Sequence, residues 1–408
     1  MRKSFFFSFF LLIFVSLNKK HMKFFSLNKS PLAKQVFDGI KVSYDEDALP
    51  SNAKKLIDLI IRALGIKKAK KINCDEFLTI DQFSDGEICP IFRQSIRDQH
   101  IFIMADGHKS DDILKLLLTI DAAKRSGAKK ITIIYPYLPY SRQDKNDHVR
   151  SSIGAKLLAD MLTKAGANRV IAIEMHSPAI QGFYDIPLIH LYGNRIFGDY
   201  AKSLNLVDVT NCSPDHGAIK RNADFSKYFP DALSAVIDKK RVKPNEIASM
   251  EITGEENIPG RNVVCVDDMG DTLGTLCKAA ALVMSKGALT FRAFLTHPVL
   301  SGNALKSLYE SQITELVVSD TIVSVYDKKK QYEEMLEREA RIAVEDEHGN
   351  TELIYIGDDE GKSELEAKLI EIRAKHPIFT IVSSAPLLIK SINSLVNKKG
   401  SINEINNG

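Results

Sequence analysis

The stretch Val263–Thr275, VVCVDDMGDTLGT, decides the fold. Four apolar residues, Val263 to Val266, run directly into Asp267 and Asp268, and Asp271, Thr272, Gly274 and Thr275 follow closely. A short apolar run without alternation reads as a central strand of a parallel sheet, buried on both faces. Open α/β sheets bind ligands just beyond the carboxyl ends of such strands. A binding loop is therefore expected after Val266, and a helix from near Leu276. Backbone N–H groups around Gly274, the hydroxyls of Thr272 and Thr275 and the positive end of that helix suit a phosphate. Asp267 and Asp268 repel one, but accept hydrogen bonds from sugar hydroxyls or hold Mg2+, usually through its waters. A sugar phosphate satisfies both halves; taken alone, the stretch also reads as an acidic surface turn.

Working outward, one pattern recurs. An amphipathic helix ends in Gly-Ala and a strand begins within a few residues: IDAAKRSGAKKITIIYPYLP around Gly127, AKLLADMLTKAGANRVIAIEMHS around Gly166, and CKAAALVMSKGALTFRAFLTHP around Gly287. Glycine suits a helix C-terminus because it tolerates left-handed backbone angles, and the β-branched residues after it favour a strand. Alternating helices and strands predict an α/β protein with mainly parallel sheets. Two copies precede Tyr192-Gly193-Asn194 and one follows, so two α/β domains are expected, 22–192 and 193–325. A charged helical insertion at 326–376 should come next, then a terminal strand and helix at 377–408 packing back on the N-terminal domain.

Composition sets the class. At 408 residues, with 44% apolar and 26% charged side chains, the chain has room for two cores. A formal net charge of +3 gives no footing for nucleic acid or an acidic membrane as partner. The five cysteines (Cys74, Cys89, Cys212, Cys265, Cys277) are odd in number and lack CxxC spacing, which points to reduced thiols in the cytoplasm. Arg2, Lys3 and the apolar run Phe5–Leu17 resemble the first two regions of a secretory signal, without a small-x-small cleavage site. We expect translation to begin at Met22, with a targeting segment or anchor in 1–21 as the alternative.

Seven further stretches carry a resemblance. VVCVDDMGDTLGT is similar to the phosphoribosyl-diphosphate motif of type I phosphoribosyltransferases and ribose-phosphate pyrophosphokinases. FSDGEI (83–88), YPYLPYSRQDK (135–145), EMHSPAIQGFYDIP (174–187), SPDHGAIKR (213–221), VIDKKR (236–241), THPVLSG (296–302) and VVSDTI (317–322) resemble, in order, signatures of the second family. The resemblance implies two phosphoribosyltransferase-like (type I) domains and transfer of a diphosphoryl group from ATP to ribose 5-phosphate, with Mg2+. It implies Lys239 and Arg241 as catalytic cations, and Asp85, Gly86, Glu87, Arg142 and Gln143 as ATP-binding residues. Asp267, Asp271, Thr272, Leu273, Gly274, Thr275 and Arg241 would take ribose 5-phosphate, and His176 and Asp215 would be metal positions. It also implies a homo-oligomer, dimer or hexamer, in which Asp85–Glu87 serve a neighbouring subunit. Taken singly, most of these motifs also read as ordinary surface turns or strand ends.

Several positions depart from that family. Leu273 stands where relatives usually carry glycine or another small residue, so it either tilts the phosphate loop or points outward. Glu174 replaces an aspartate, Ile189 an acid, and His216 and Ala218 alter the pattern after Ser213-Pro214-Asp215. ADGHKSDD is atypical, and the 326–376 insertion and the last residues do not match typical members; Arg97 is one candidate regulatory contact that survives. Two alternatives stay open: a non-catalytic, synthetase-associated regulatory binding protein, and a type I phosphoribosyltransferase.

Overall fold

The computed structural model describes residues 22–26, 31–32, 35–36, 78–105, 107–243, 246–348, 359–397 and 402–407. The signal-like segment 1–21 lies outside the described residues. Contacts divide the chain into two units, Met1–Leu191 with Ala385–Gly408, and Tyr192–Ser384.

In the first unit, Met22–Ser26 is strand β1, and Leu78–Gln82 (β2) and Ile88–Phe92 (β3) form a separate antiparallel hairpin. His100–Met104 (β4), Lys130–Tyr135 (β5), Arg169–Ile173 (β6) and Leu188–Leu191 (β7) complete a parallel five-stranded sheet of order β1-β4-β5-β6-β7. Ile101–Met104 and Ile131–Tyr135 are buried on both sides of the sheet, which is why their sequences do not alternate. Helices α1 (Ser110–Arg125) and α2 (Gly154–Ala165) cover one face, where Leu116, Ile120, Leu158 and Leu162 join Ile101, Ile103, Ile133 and Val170. Gly127 (φ 79°) and Gly166 (φ 127°) end these helices in the conformation only glycine adopts freely. Terminal helices α9 (Ala385–Asn397) and α10 (Ile402–Asn407) belong to this unit, and Asn406 Nδ2 donates to the His190 carbonyl at 3.0 Å.

The second unit begins with α3 (Asn194–Ser203), β8 (Val209–Ser213), α4 (Ile219–Phe225), β9 (Leu233–Lys243) and β10 (Glu246–Thr253). It continues with β11 (Asn262–Gly270), α5 (Gly274–Ser285), β12 (Thr290–Pro298), α6 (Ala304–Tyr309) and β13 (Glu315–Ser319). Helices α7 (Val325–His348) and α8 (Asp359–Lys375) precede the last strand, β14 (Ile378–Val382). The seven strands run β10-β9-β8-β11-β12-β13-β14, parallel except for the β9–β10 hairpin. The mainly parallel α/β class expected from the helix–glycine–strand pattern is the class the structure has.

Three expectations are corrected. The strand at Val263 runs on through both aspartates to Gly270, because its neighbour is as long and pairs to the end, Gly270 opposite Pro298. The following helix starts at Gly274 rather than near Leu276. The terminal strand pairs with β13 in the second unit, Glu315 opposite Ile378, and does not join the N-terminal domain. The apolar run IFTIV completes the edge that β13 would otherwise expose. The charged helices α7 and α8 pack inward through Tyr332, Leu336, Ala340 and Ile372 against the core of this unit. Tyr332 seals the junction by donating its hydroxyl to the Pro377 carbonyl at 2.9 Å.

Candidate functional site

At the carboxyl end of β11 the chain turns through Asp271, Thr272 and Leu273 into α5. The first N–H groups of a helix have no intrahelical acceptor, and Leu273, at the cap, offers no side-chain acceptor for them. Thr272 and Thr275 are exposed on the same turn. The turn is held from below: Leu300 N donates to Gly270 O at 3.0 Å, and Ser301 N to Asp271 O at 3.1 Å. Ser301 Oγ also donates to Asp271 Oδ1. The arrangement offers amides and hydroxyls to an anion.

Leu273 does not point outward. Its side chain is 4% exposed and lies in the core with Leu276, Leu295 and Leu300. The backbone there has φ 60°, a left-handed conformation that disfavours residues with a Cβ by ~1–2 kcal/mol. Burying a leucine side chain contributes ~1.5–3 kcal/mol and offsets that strain.

One turn of strand away, Asp267 and Asp268 face a single cation. Arg221 Nη1 on α4 lies 3.0 Å from Asp267 Oδ1 and 3.9 Å from Asp268 Oδ1. Asn222, buried beside it, clamps α4 to β11: its Nδ2 donates to Val266 O at 2.8 Å and its Oδ1 accepts from Val266 N at 2.9 Å. Burial first, then the charge of Asp268, holds the Asp267 carboxyl well above the usual carboxylate range, with Arg221 opposing and Asp215 adding to the rise. Such a cluster favours a cation or a hydroxyl donor as its ligand. Asp215 follows β8 and caps a short 3₁₀ turn, His216–Ala218, with Oδ1 accepting from Ala218 N at 3.1 Å. His216 Nε2 contacts Asp238, whose Oδ2 also accepts from Thr253 Oγ1 at 2.7 Å.

Lys239 and Arg241 follow Asp238 on β9, in antiparallel register with Met250 and Ile247 of β10. Their side chains lie outside the described residues.

In the first unit, Arg142 and Gln143 occupy the turn after β5 and are exposed. Tyr140 is left-handed there (φ 60°), and Gln143 N closes the turn onto Tyr140 O at 2.8 Å. A Cβ at Gly154 would stand 2.7 Å from Gln143 Oε1, so the Gln143 side chain lies directly against the start of α2. An apolar hollow of about 350 Å³ between α1 and α2 has Tyr140 and Gln143 on its rim and no charged lining residue. Asp85, Gly86 and Glu87 form the exposed β2–β3 turn, where Gly86 has φ 95° and Asp85 Oδ1 accepts from Glu87 N at 3.0 Å. Exposed His176 follows β6, after a left-handed, buried Glu174 (φ 34°). Met175 N donates to His190 Nε2 at 3.1 Å, which fixes that turn to β7.

The structure thus brings Asp215, Asp267 and Asp271–Thr275 to the carboxyl ends of β8 and β11 in one unit, and Arg142, Gln143 and His176 to the ends of β5 and β6 in the other. Sequence reasoning missed three contributors. Arg221 and Ser301 lay within quoted motifs without a role, and Asp268 was treated only as a companion to Asp267. Among the described residues no group of three or more His, Cys, Asp or Glu side chains is arranged to hold a metal ion. No described helix is long and apolar enough to cross a membrane, and Cys89, Cys212 and Cys277 are free thiols.

Known proteins resemble this chain in sequence and fold. The N-terminal domain of ribose phosphate pyrophosphokinase matches residues 48–166, and the phosphoribosyl synthetase-associated domain matches residues 208–334. The ribose-phosphate pyrophosphokinase of Wolinella succinogenes is 43% identical over 249 residues, spanning 60% of this chain and 79% of that protein. The enzyme of that name from Bacillus caldolyticus is 40% identical over 284 residues, 69% of this chain and 87% of its own. The crystal structure of phosphoribosylpyrophosphate synthetase from Mycobacterium smegmatis matches with a TM-score of 0.64 at 26% identity, covering 93% of this chain and 100% of that one. Fold and loop together define an α/β enzyme of phosphoribosyltransferase-like architecture, with an acidic, hydroxyl-bearing loop at a strand end. Within that class, the chain belongs to the ribose-phosphate pyrophosphokinase family.

Proposed function

We propose that the protein transfers the diphosphoryl group of ATP to the C1 hydroxyl of ribose 5-phosphate, giving AMP and 5-phosphoribosyl 1-diphosphate. One observation supports the assignment of the acceptor: a helix-start turn of backbone amides and exposed threonine hydroxyls directly after a strand whose Asp267 is oriented by Arg221. The phosphate of the pentose would sit on Thr272, Gly274 and Thr275, and Asp267 and Asp271 would accept from its ring hydroxyls. Arg142 and Gln143, with Asp85, Gly86 and Glu87 supplied by a neighbouring subunit, would hold ATP. In the transfer the C1 hydroxyl gives its proton to water and its oxygen bonds to the β-phosphorus as the bond from that phosphorus to the α,β-bridging oxygen breaks, and AMP leaves with that oxygen. Lys239 and Arg241 would neutralise charge growing on the non-bridging oxygens, the main demand of such a step.

Mg2+ fits the donor set. It binds through one or two carboxylates plus substrate phosphates and waters, so a three-ligand protein cage is not required. Asp215, which lies near Asp267 and adds to the rise of its pKa, would hold the ion in the second unit; His176 would act separately, on ATP phosphate or through a bound water. When bound, the ion supplies positive charge to the polyphosphate. A cytoplasmic homo-oligomer is the form this reading implies. The regulatory-protein alternative drew its main support from Leu273, which the core accommodates. The test is direct: purified protein, ATP, Mg2+ and ribose 5-phosphate should yield AMP and phosphoribosyl diphosphate in equal amounts. Binding of both substrates without product would move the assignment to the regulatory reading.

A further inference from the structure

We infer that Leu273 is a positioning residue for the sugar phosphate: its buried side chain, wedged beside Gly270 and Leu295, fixes the left-handed turn that presents the Asp271–Thr275 loop. The inference rests on that loop being the ribose 5-phosphate site.

The turn at residue 273 has φ 60°, a conformation glycine reaches without cost and leucine does not. A residue held there against its preference needs surroundings that over-determine it. Those surroundings are visible. A Cβ added to Gly270 would lie 2.4 Å from Leu295 Cδ1 and 2.8 Å from Leu273 Cδ2, so the last residue of β11 lacks a side chain where the Leu273 side chain lies. Leu273 O also accepts from Cys277 N at 2.9 Å, the first intrahelical bond of α5. The same residue therefore joins the core to the first helical turn.

A glycine at 273 could adopt this turn but also several others, and the loop would have to be ordered each time ligand bound. Leucine removes those alternatives, because any other backbone state would pull its side chain from the core. This chain reaches the turn through packing where a glycine would reach it through freedom. A loop already in its bound shape loses less entropy on binding.

The test is steady-state kinetics on full-length protein. Leu273→Gly should raise KM for ribose 5-phosphate about tenfold, the size of a modest ordering cost, while KM for ATP moves less than about twofold. Leu273→Met, which keeps a long apolar side chain in the core, should restore KM to within about twofold of wild type. Thr275→Val separates this inference from the site reading beneath it. If Thr275→Val leaves KM for ribose 5-phosphate unmoved, the loop is not the phosphate site and the reading beneath fails. If Thr275→Val raises it and a folded Leu273→Gly does not, the wedge has no positioning role. Should Leu273→Gly fail to fold, Leu273→Ala, which removes the atoms packed beside Gly270 and Leu295 but keeps a Cβ, must raise the same KM selectively; an unmoved value in the folded variant overturns the inference.

Discussion

Arg221 Nη1 stands 3.0 Å from Asp267 Oδ1 and 3.9 Å from Asp268 Oδ1, so one guanidinium from α4 serves two consecutive carboxylates on β11. The three side chains are 15%, 26% and 8% exposed, which makes this pairing largely desolvated. Removing one member of such a set leaves uncompensated charge. Arg221→Ala should therefore cost about 3 kcal/mol of unfolding free energy, at the lower end for broken buried pairs. Urea denaturation checks it, and ribose 5-phosphate binding should weaken in the folded fraction. A loss below about 1 kcal/mol would mean that solvent already screens the cluster.

Asp320 makes a second, purely architectural prediction. Fully buried, it accepts from Ser384 N and Ser384 Oγ at 2.7 Å each, Ser383 Oγ at 2.9 Å and Tyr326 Oη at 3.2 Å. It ties the end of β13 to the residues after β14 and to the start of α7. Asp320→Ala would strand several donors and should cost about 3 kcal/mol, since a buried donor left unpaired loses the full desolvation term. Thermal unfolding of the variant measures this.

His100 gives a pH dependence. Its ring stacks on Phe102 and bonds Thr132 Oγ1 at 2.8 Å. Burial first, then the charges of Lys130 and Arg169, lowers its pKa from 6.5 to about 4. The folded protein therefore resists a proton that the unfolded chain accepts. This contribution to stability is complete above pH 6.5, declines as pH falls below it, and is lost near pH 4. Denaturation midpoints between these limits should fall less steeply for His100→Gln, which keeps a hydrogen-bonding group but does not titrate. Identical slopes would remove His100 from the acid response.

Tyr332 tests whether the charged helices are part of the second unit's core. Its ring is 1% exposed and packs edge-on to Tyr309 and Phe379. Tyr332→Ala should cost about 3–5 kcal/mol, the usual loss for a large buried aromatic, and Tyr332→Phe about 1 kcal/mol for the bond to Pro377. Neutral variants would make α7 and α8 a detachable appendage.

The fold was legible where local chemistry repeats. Gly127, Gly166 and Gly287 mark helix ends because their backbone angles demand glycine, and the apolar runs after them could only be buried strands. Where a strand stops was less legible, since Asp267 and Asp268 look like loop residues until the length of β12 is known. IFTIV fits either sheet edge by composition, and only its partner at β13 decides. Arg221 lies 46 residues from Asp267, and no local periodicity announces a pairing at that distance. Leu273 looked like a defect in the loop because its compensation, the absent side chain at Gly270, is spatial.

The central claim is that a diphosphoryl group moves from ATP to a pentose held on the loop after β11. ATP labelled at its β-phosphorus, incubated with ribose 5-phosphate and Mg2+, measures this most directly. Label should appear in 5-phosphoribosyl 1-diphosphate with stoichiometric unlabelled AMP, and Lys239→Ala should slow that transfer by about a hundredfold or more, the scale for losing a charge-stabilising group. Label retained in ADP, or no transfer from wild-type protein that binds both substrates, would contradict the account.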